Sequence, residues 1–370
     1  MIDSRRIGFV IERALGHITH AENLRHWIDK DPEVVPRWLM IPHHAEDIWH
    51  KFPGLPFSVR LSLRARDAIQ QTLLDQPLDG LYLHTQGLSL FSLGFMTQIP
   101  TVISLDATPM NFEAIAAAYD ETPSTGIANR IKTAWFRSAF ARARGLVAMS
   151  DWVKSSLVRD YAVAPDKIRL IPIGVNIQQW QFVPKMPAPG RRLRLLFVGG
   201  DFDRKGGPHL MHAFQHGLAD FCELDIVTTK PPARSGNHVR IHTRLTPNSP
   251  LLRKLYADAD LFVLPTRGDA TPIAILEAMA TGLPVITTKV GAIGELIEEG
   301  VTGHFVPPAA PQRIVEVITS LAARRDALPA MGQAARTVVE RNFNAEINSK
   351  GVIDFLKEVS APRPDGNGHP

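Results

Sequence analysis

The run Thr266-Arg-Gly-Asp-Ala-Thr-Pro-Ile-Ala-Ile-Leu-Glu-Ala-Met-Ala-Thr-Gly-Leu-Pro284 sets two carboxylates, Asp269 and Glu277, beside a candidate helix N-terminus. Upstream, Leu261–Leu264 is wholly apolar, as a buried parallel strand requires. Pro265 ends that strand. Thr271 and Pro272 predict an N-cap with proline at the first helical position, and Gly282 and Pro284 close the helix. Asp269 then lies in a loop and Glu277 inside the helix, both near the carboxyl end of a strand. Open α/β sheets bind ligands at such ends, and free helix N–H groups there favour anions. Glu277 sits among Ile273, Ala274, Ile275, Leu276, Ala278, Met279 and Ala280. A carboxylate in that company is costly unless it meets a specific partner, and sugar or ribose hydroxyls are partners of the right kind. The plainer alternative is an Asx-turn at Asp269 and a solvent-facing helix glutamate at 277.

A second constellation opens the latter half of the chain. Leu195-Leu-Phe-Val-Gly-Gly-Asp-Phe-Asp-Arg-Lys-Gly-Gly-Pro208 reads as a buried strand, a glycine-rich turn, two adjacent cations and a helix starting at Pro208. Gly199 and Gly206 permit close backbone approach, and Arg204 with Lys205 could neutralise a diphosphate. The spacing is neither a P-loop nor the Gly-x-Gly-x-x-Gly of dinucleotide folds. Alone, the pair could equally be solvated cations on a tight turn.

The first half is less explicit, and around Thr108–Thr125 it reads as a long loop. Ala14-Leu-Gly-His-Ile-Thr-His20 follows the first strand, and Gly16 lets a loop approach a ligand there or simply makes a turn. His17 and His20 have no carboxylate or cysteine at ligand spacing, so no metal site is expected. His84 and Asp106 each end a predicted strand, where a cleft-facing role competes with that of satisfied structural residues. There is no Gly-x-Ser-x-Gly elbow. Residues 127–144 carry Arg130, Lys132, Arg137, Arg142 and Arg144 with no acid, alongside Ile127, Ile131, Trp135, Phe136 and Phe140. Such a helix either contacts anionic lipid or an anionic acceptor, or packs on its sheet with a cationic outer face.

These residues need elements to hold them, and the chain supplies an α/β alternation. Strands are predicted at 6–11, 37–41, 80–83, 101–105, 145–149 and 168–173. After a Pro/Gly-rich linker at Phe182–Gly190 they resume at 193–198, 224–227, 239–242, 261–264, 284–288 and 303–306. At 370 residues and 45% hydrophobic content the chain suits two domains. The division expected is one Rossmann-like domain over 1–184 and another over 191–342. A helix over 343–360 would pack back on the N-terminal domain, and a disordered tail would span 361–370. One cysteine, Cys222, excludes a disulfide framework and a Cys-based zinc site. No apolar run reaches the ~18 residues of a membrane span, so a cytoplasmic chain is expected, with membrane contact at most peripheral. The net charge of +4 favours phosphorylated partners, and no nucleic-acid partner is expected.

Taken together, these segments resemble the retaining nucleotide-sugar glycosyltransferases of the GT-B type, family 4. The resemblance rests on Val147-Ala-Met-Ser150, Lys167-Ile-Arg-Leu-Ile-Pro-Ile-Gly-Val-Asn176, Phe197-Val-Gly-Gly200 with Arg204-Lys205-Gly206, Leu255–Pro265, Leu276–Val285 and Gly291–Glu295. It implies a GT-B fold, two doubly wound Rossmann-like domains facing a central cleft. It further implies that Glu277 binds the nucleotide ribose and that Asp269 lies near the donor sugar's hydroxyls, where the family has a longer glutamate. The backbone N–H groups of Ala270 and Thr271 would face sugar and phosphate, with Arg204 and Lys205 on the leaving diphosphate. Gly16 corresponds to the family's loop glycine, without its usual glycine neighbour. Of the family's His-Asp pair only Asp106 matches, and His84 stands as a substitute for the histidine.

The implied activity is sugar transfer from a nucleoside diphosphate sugar to an acceptor hydroxyl with retained configuration. No cofactor or metal is implied, and the leaving phosphate itself would take the acceptor's proton. Closure about the 182–190 linker would exclude water. The competing readings are an epimerase or phosphorylase on the same architecture, or a donor-binding subunit without turnover.

Overall fold

The computed structural model describes residues 4–13, 15–43, 45–52, 54–119, 126–185, 190–233 and 236–361, apart from the side chains of 15 and 126–129. The chain forms two units. The first comprises residues up to 108, 125–171 and 346 onward, and the second comprises 109–124 and 172–345.

The first unit holds β1 (Arg5–Arg13), β2 (Val34–Pro42), β3 (Gly80–His84), β4 (Thr101–Leu105), β5 (Gly145–Ala148) and β6 (Ile168–Leu170). All pair parallel, in the order β2-β1-β3-β4-β5-β6. Helices α1 (Leu15–Ile28), α2 (Phe57–Asp75), α3 (Leu93–Gln98), α5 (Gly126–Arg142) and α6 (Asp151–Tyr161) connect them, and α4 (Pro109–Ile115) belongs to the second unit. The middle stretches of the central strands, Ile7–Ile11 of β1, Leu81–Leu83 of β3 and Leu146–Ala148 of β5, are buried and mostly apolar because a parallel sheet is covered on both faces.

The second unit repeats the design with β7 (Leu193–Val198), β8 (Cys222–Val227), β9 (Val239–His242), β10 (Leu261–Leu264), β11 (Val285–Thr287) and β12 (Gly303–Phe305). Their order is β12-β11-β10-β7-β8-β9, again all parallel. Helices α7 (Gly207–Ala213), α8 (Pro250–Asp258), α9 (Ile273–Ala280), α10 (Pro311–Ala323) and α11 (Leu328–Asn342) cover it.

The last helix, α12 (Ala345–Ser360), lies in the first unit from Glu346 onward. Its Val352, Ile353, Phe355 and Leu356 join Ile7, Phe9, Ile11, Tyr82 and Val147 in one core. Gly145 makes room for it, since a Cβ there would stand 2.4 Å from the Phe355 ring.

Four local expectations change. Gly16 is not in a loop but in the first turn of α1. Residues 109–119 are not irregular either, forming α4 and a 3-10 turn, while 120–125 lie outside the described residues. The segment 182–185 is no free linker: Val183 N–H bonds the Thr281 carbonyl, and Lys185 Nζ bonds the Tyr256 and Ala257 carbonyls at the end of α8. Of the remainder, 186–189 lie outside the described residues, as do 362–370 of the expected tail. Finally, Thr271 is not the N-cap of α9. Pro272 holds that place, with an extended ψ of 113° and no side-chain cap. The ring of Pro272 disfavours helical backbone at the residue before it, which pushes Thr271 out of the helix.

Candidate active site

In both sheets the strand order reverses beside the unit's first strand: between β1 and β3, and between β7 and β10. Loops leaving adjacent strands diverge at such a point, and ligands of doubly wound folds bind there. The sequence-selected residues gather at these two places.

At the β7/β10 point, the turn after β7 carries Arg204 and Lys205. The Asp201 carboxylate accepts from the Arg204 backbone N–H at 3.2 Å, tying the turn to its own start. Gly206 adopts φ 81°, and a Cβ there would lie 1.9 Å from the Pro265 carbonyl oxygen. Only glycine allows the β7 turn to press this closely on the β10 exit. Arg267 N–H bonds the Arg204 carbonyl at 2.9 Å, and Thr288 Oγ1 donates to the Thr266 carbonyl at 2.6 Å. The two loops are thus joined through their backbones.

The cations on this frame are not solvated. The Arg204 side chain is 7% exposed. Its Nη1 donates to the Gly268 carbonyl at 2.7 Å and to Tyr119 Oη at 3.2 Å, and the guanidinium lies 4.3 Å from the Tyr119 ring centre. Lys205 Nζ donates to Asp269 Oδ2, and Arg204 Nη1 approaches the same oxygen at 3.8 Å. The stem of Lys205 runs over Gly199, where a Cβ would come 2.9 Å from Lys205 Cγ. Asp269 is buried, and its carbonyl oxygen would meet a Cβ on Gly291 at 2.0 Å. Ala270 is buried with its carbonyl accepting from Ala292 N–H, and the Thr271 Oγ1 is buried without a partner among the described residues.

Glu277 lies in the second turn of α9, fully inside the unit. Its Oε2 accepts a 3.0 Å bond from Tyr256 Oη of α8. Tyr256 is itself held between Phe262, stacked at 5.7 Å, and the edge of Trp180 at 5.0 Å. Burial pushes the Glu277 carboxyl up to about 7, against the opposing effect of the Tyr256 bond. The solvent-facing alternative for this residue is therefore excluded, and its apolar neighbours are explained by a protein hydroxyl.

At the β1/β3 point, the histidines form a cluster. The His17 ring stands 4.8 Å from that of His84, and the His20 ring 4.6 Å from it. Carboxylates do reach His17, contrary to the spacing argument: Asp106 Oδ2 at 3.5 Å from Nε2 and Glu12 Oε2 at 3.7 Å from Nδ1. His43 Nδ1 lies 3.1 Å from Glu12 Oε1. Burial disfavours charge on His17, but the Asp106 bond and the Asp106 and Glu12 charges override it and raise its pKa. Asp106, whose carboxyl burial would push up, is instead held down at about 2 by the His17 bond. His20 falls to about 3 and His84 well below 6.5, by burial and then by neighbouring histidine charge. Asp106 is thus joined to His17, whereas His84 is a neutral imidazole behind the pair. Among the described residues, no group of three or more His, Cys, Asp or Glu side chains is arranged to hold a metal ion.

Sequence reasoning missed Tyr119, Tyr256 and the His17–Asp106 pair. Each partner lies 21 to 89 positions from the residue it serves, and no local spacing rule connects them.

Two parallel six-stranded sheets, each flanked by helices and each with its polar cluster at a strand-order reversal, make this a GT-B fold. Sequence comparison agrees: residues 24–179 match the model for Glycosyltransferase Family 4, and residues 192–324 the model for Glycosyl transferases group 1. The chain belongs to this glycosyltransferase family. It is 28% identical over 188 residues to MMP alpha-(1->4)-mannosyltransferase of Mycolicibacterium hassiacum, covering 48% of this chain and 44% of that protein. It is 25% identical over 258 residues to alpha-maltose-1-phosphate synthase of Mycolicibacterium smegmatis, covering 61% and 66%. The matches span between 44% and 66% of the length of these curated relatives. Among solved structures, sucrose-phosphate synthase from Thermosynechococcus elongatus superposes with TM-score 0.74 at 17% identity, over 96% of this chain and 99% of that one. Anabaena HepE in complex with UDP-glucose gives 0.66 at 14% identity, over 96% and 100%.

Proposed function

We propose that this protein is a glycosyltransferase that moves a sugar from a nucleoside diphosphate sugar to an acceptor hydroxyl, with retention of anomeric configuration. The observation that carries the reading is the cation pair Arg204–Lys205, desolvated and fixed at the β7/β10 reversal with a carboxylate as its present counter-ion. A largely desolvated cation pair that already holds a carboxylate is suited to a diphosphate. Relatives named as a mannosyltransferase and a maltose-1-phosphate synthase, and a fold neighbour solved with UDP-glucose, point the same way.

In this mechanism the load is electrostatic. As the bond from the anomeric carbon to the diphosphate oxygen lengthens, negative charge builds on the leaving group. Lys205 Nζ meets that charge from a position already fixed by its stem over Gly199, so little reorganisation accompanies the reaction. Arg204 has Nη1 committed to Gly268 and Tyr119, which leaves Nη2 to face a phosphate. The acceptor oxygen bonds the anomeric carbon, and its proton passes to the departing phosphate. Glu277, poised at about 7, engages the ribose hydroxyls as an acceptor when ionised and as a donor when protonated. No metal ion is required in this scheme. No observation favours the epimerase or phosphorylase reading.

The first test is a thermal-shift panel of UDP-, GDP- and ADP-linked hexoses. A ligand that binds only the folded state at 100 times its Kd adds about 2.7 kcal/mol of stability. A clear rise in Tm with one donor, followed by release of its nucleoside diphosphate, is expected. No shift and no release with any of them would dismiss the reading.

On the acceptor side, Arg130, Arg137, Arg142 and Arg144 are exposed on and just after α5, together with Ile131 at 60% exposure. This arrangement favours an acceptor presented at an anionic surface. Cosedimentation with phosphatidylglycerol liposomes at low salt, lost at 0.5 M salt (on the order of the screening expected), is the expected outcome. The side chains of 127–129 lie outside the described residues.

A further inference from the structure

The carboxylate expected near the donor sugar is, in this structure, spent on the cations expected at the diphosphate. Asp269 Oδ2 accepts from Lys205 Nζ and lies 3.8 Å from Arg204 Nη1. Both side chains of the main pair are nearly closed off from water, 14% exposed for Lys205 and 11% for Asp269. A pair in that setting is screened far less than a surface ion pair. Asp269 is one methylene shorter than glutamate, and its backbone cannot follow a ligand. Gly291 packs on its carbonyl, Arg204 Nη1 holds the Gly268 carbonyl, and a Cβ on Gly268 would stand 2.4 Å from Ala118 Cβ. The backbone on both sides of the pair is braced, so only the two side chains are left to rearrange.

We propose that Asp269 is an internal counter-ion which the donor's diphosphate must displace, so that the carboxylate becomes available to sugar hydroxyls only after the diphosphate has engaged Lys205. The inference rests on the transferase reading above and deepens it. It makes Asp269 a specificity-determining residue: the site recognises a sugar through its diphosphate, and an uncharged free sugar cannot open it. Before binding, two cations face Asp269 and, at 3.7 Å from Arg204 Nε, Asp201. After binding, the diphosphate takes over the cations and Asp269 turns to hydroxyl donors, the partners an ionised carboxylate prefers once its cation is lost.

The consequence is unusual for a site residue. Removing its charge should strengthen binding of the leaving group while weakening catalysis. A competing internal partner lowers apparent affinity by the fraction of molecules that are open. Asp269→Asn is therefore expected to bind inorganic pyrophosphate, and whichever of UDP, GDP or ADP binds the wild type, about tenfold more tightly, by calorimetry without divalent metal. Transfer, or donor hydrolysis with water as acceptor, should fall at the same time. A crystal structure of the wild type with that nucleotide should show Lys205 Nζ on a phosphate oxygen and Asp269 Oδ2 beyond ~4 Å from it, outside ion-pair reach. Lys205→Met, which removes the other half of the latch, should lose affinity for both ligands.

Unchanged or weaker binding in a folded Asp269→Asn protein would overturn the latch, as would a bound structure in which Lys205 still pairs with Asp269. If the wild type binds no nucleoside diphosphate at all, the transferase reading falls and this inference with it. If the wild type binds and turns over a donor but the variant gains no affinity, only the latch is lost.

Discussion

The two strand-order reversals of this molecule solve the same problem in opposite ways. At β7/β10 the buried groups are permanent charges, Arg204 and Lys205, balanced by the movable carboxylate of Asp269. At β1/β3 they are imidazoles, two disfavoured as cations by burial and one, His17, drawn toward the charged form by Asp106 and Glu12. Topology made both places available. Side-chain chemistry then gave one a desolvated cation pair with a carboxylate counter-ion and the other a weakly charged, hydrogen-bonding cluster. A fixed charge suits a diphosphate, and neutral rings beside one ion pair suit hydroxyls.

The largest effect that could break this contrast is catalytic. Lys205→Ala removes one of the two fixed cations, and donor turnover is expected to fall about 10²- to 10³-fold, the usual loss for one transition-state charge stabiliser. Turnover near wild type in a folded variant would move the anion site elsewhere.

Next in size is a stability effect at Glu277. Its carboxyl is raised from 4.5 to about 7 in the folded protein, so its contribution is complete below pH 4.5 and lost as pH rises through 7. The glutamine of Glu277→Gln does not titrate. The stability of the wild type relative to this variant should therefore decline by about 3 kcal/mol between pH 4 and pH 8, measured by urea unfolding. A difference independent of pH would show that Glu277 is not desolvated.

Smallest is the ion pair of the first unit. Asp106 is lowered to about 2, so its stabilisation exists above 3.8 and disappears as pH falls through 2. His17 is raised, so its share exists below 6.5 and disappears as pH rises through its folded value. The two shifts describe one interaction and are not added. Asp106→Asn should cost about 2 kcal/mol between pH 4 and 6.5 and less once His17 has lost its proton. The His17 ring should titrate lower by NMR, and an unmoved His17 titration would leave Asp106 with no part in setting its charge.

Much of this architecture was legible from the chain. All twelve strands overlap the predicted runs, and the clearest are those buried on both faces, where nearly every residue is apolar. Arg204, Lys205, Asp269 and Glu277 stood out for the converse reason, as charged groups in apolar or glycine-rich surroundings. Helix boundaries were less legible. Gly16 and the stretch Pro109–Tyr119 read as loops because glycine and proline are weak helix formers. Packing overrode that preference at 109–119, where Ala118 closes on Gly268.

What the sequence by itself determined was therefore the two parallel sheets, the order of strands and helices along the chain, and the identity of the charged residues near strand ends. These follow from local composition and periodicity. Only the tertiary structure decided the pairings: Tyr119 on Arg204, Tyr256 on Glu277, His17 on Asp106, and Asp269 on Lys205. A buried charge must find a partner within a few ångströms. Which partner it finds depends on how distant loops converge, and no local pattern encodes that convergence.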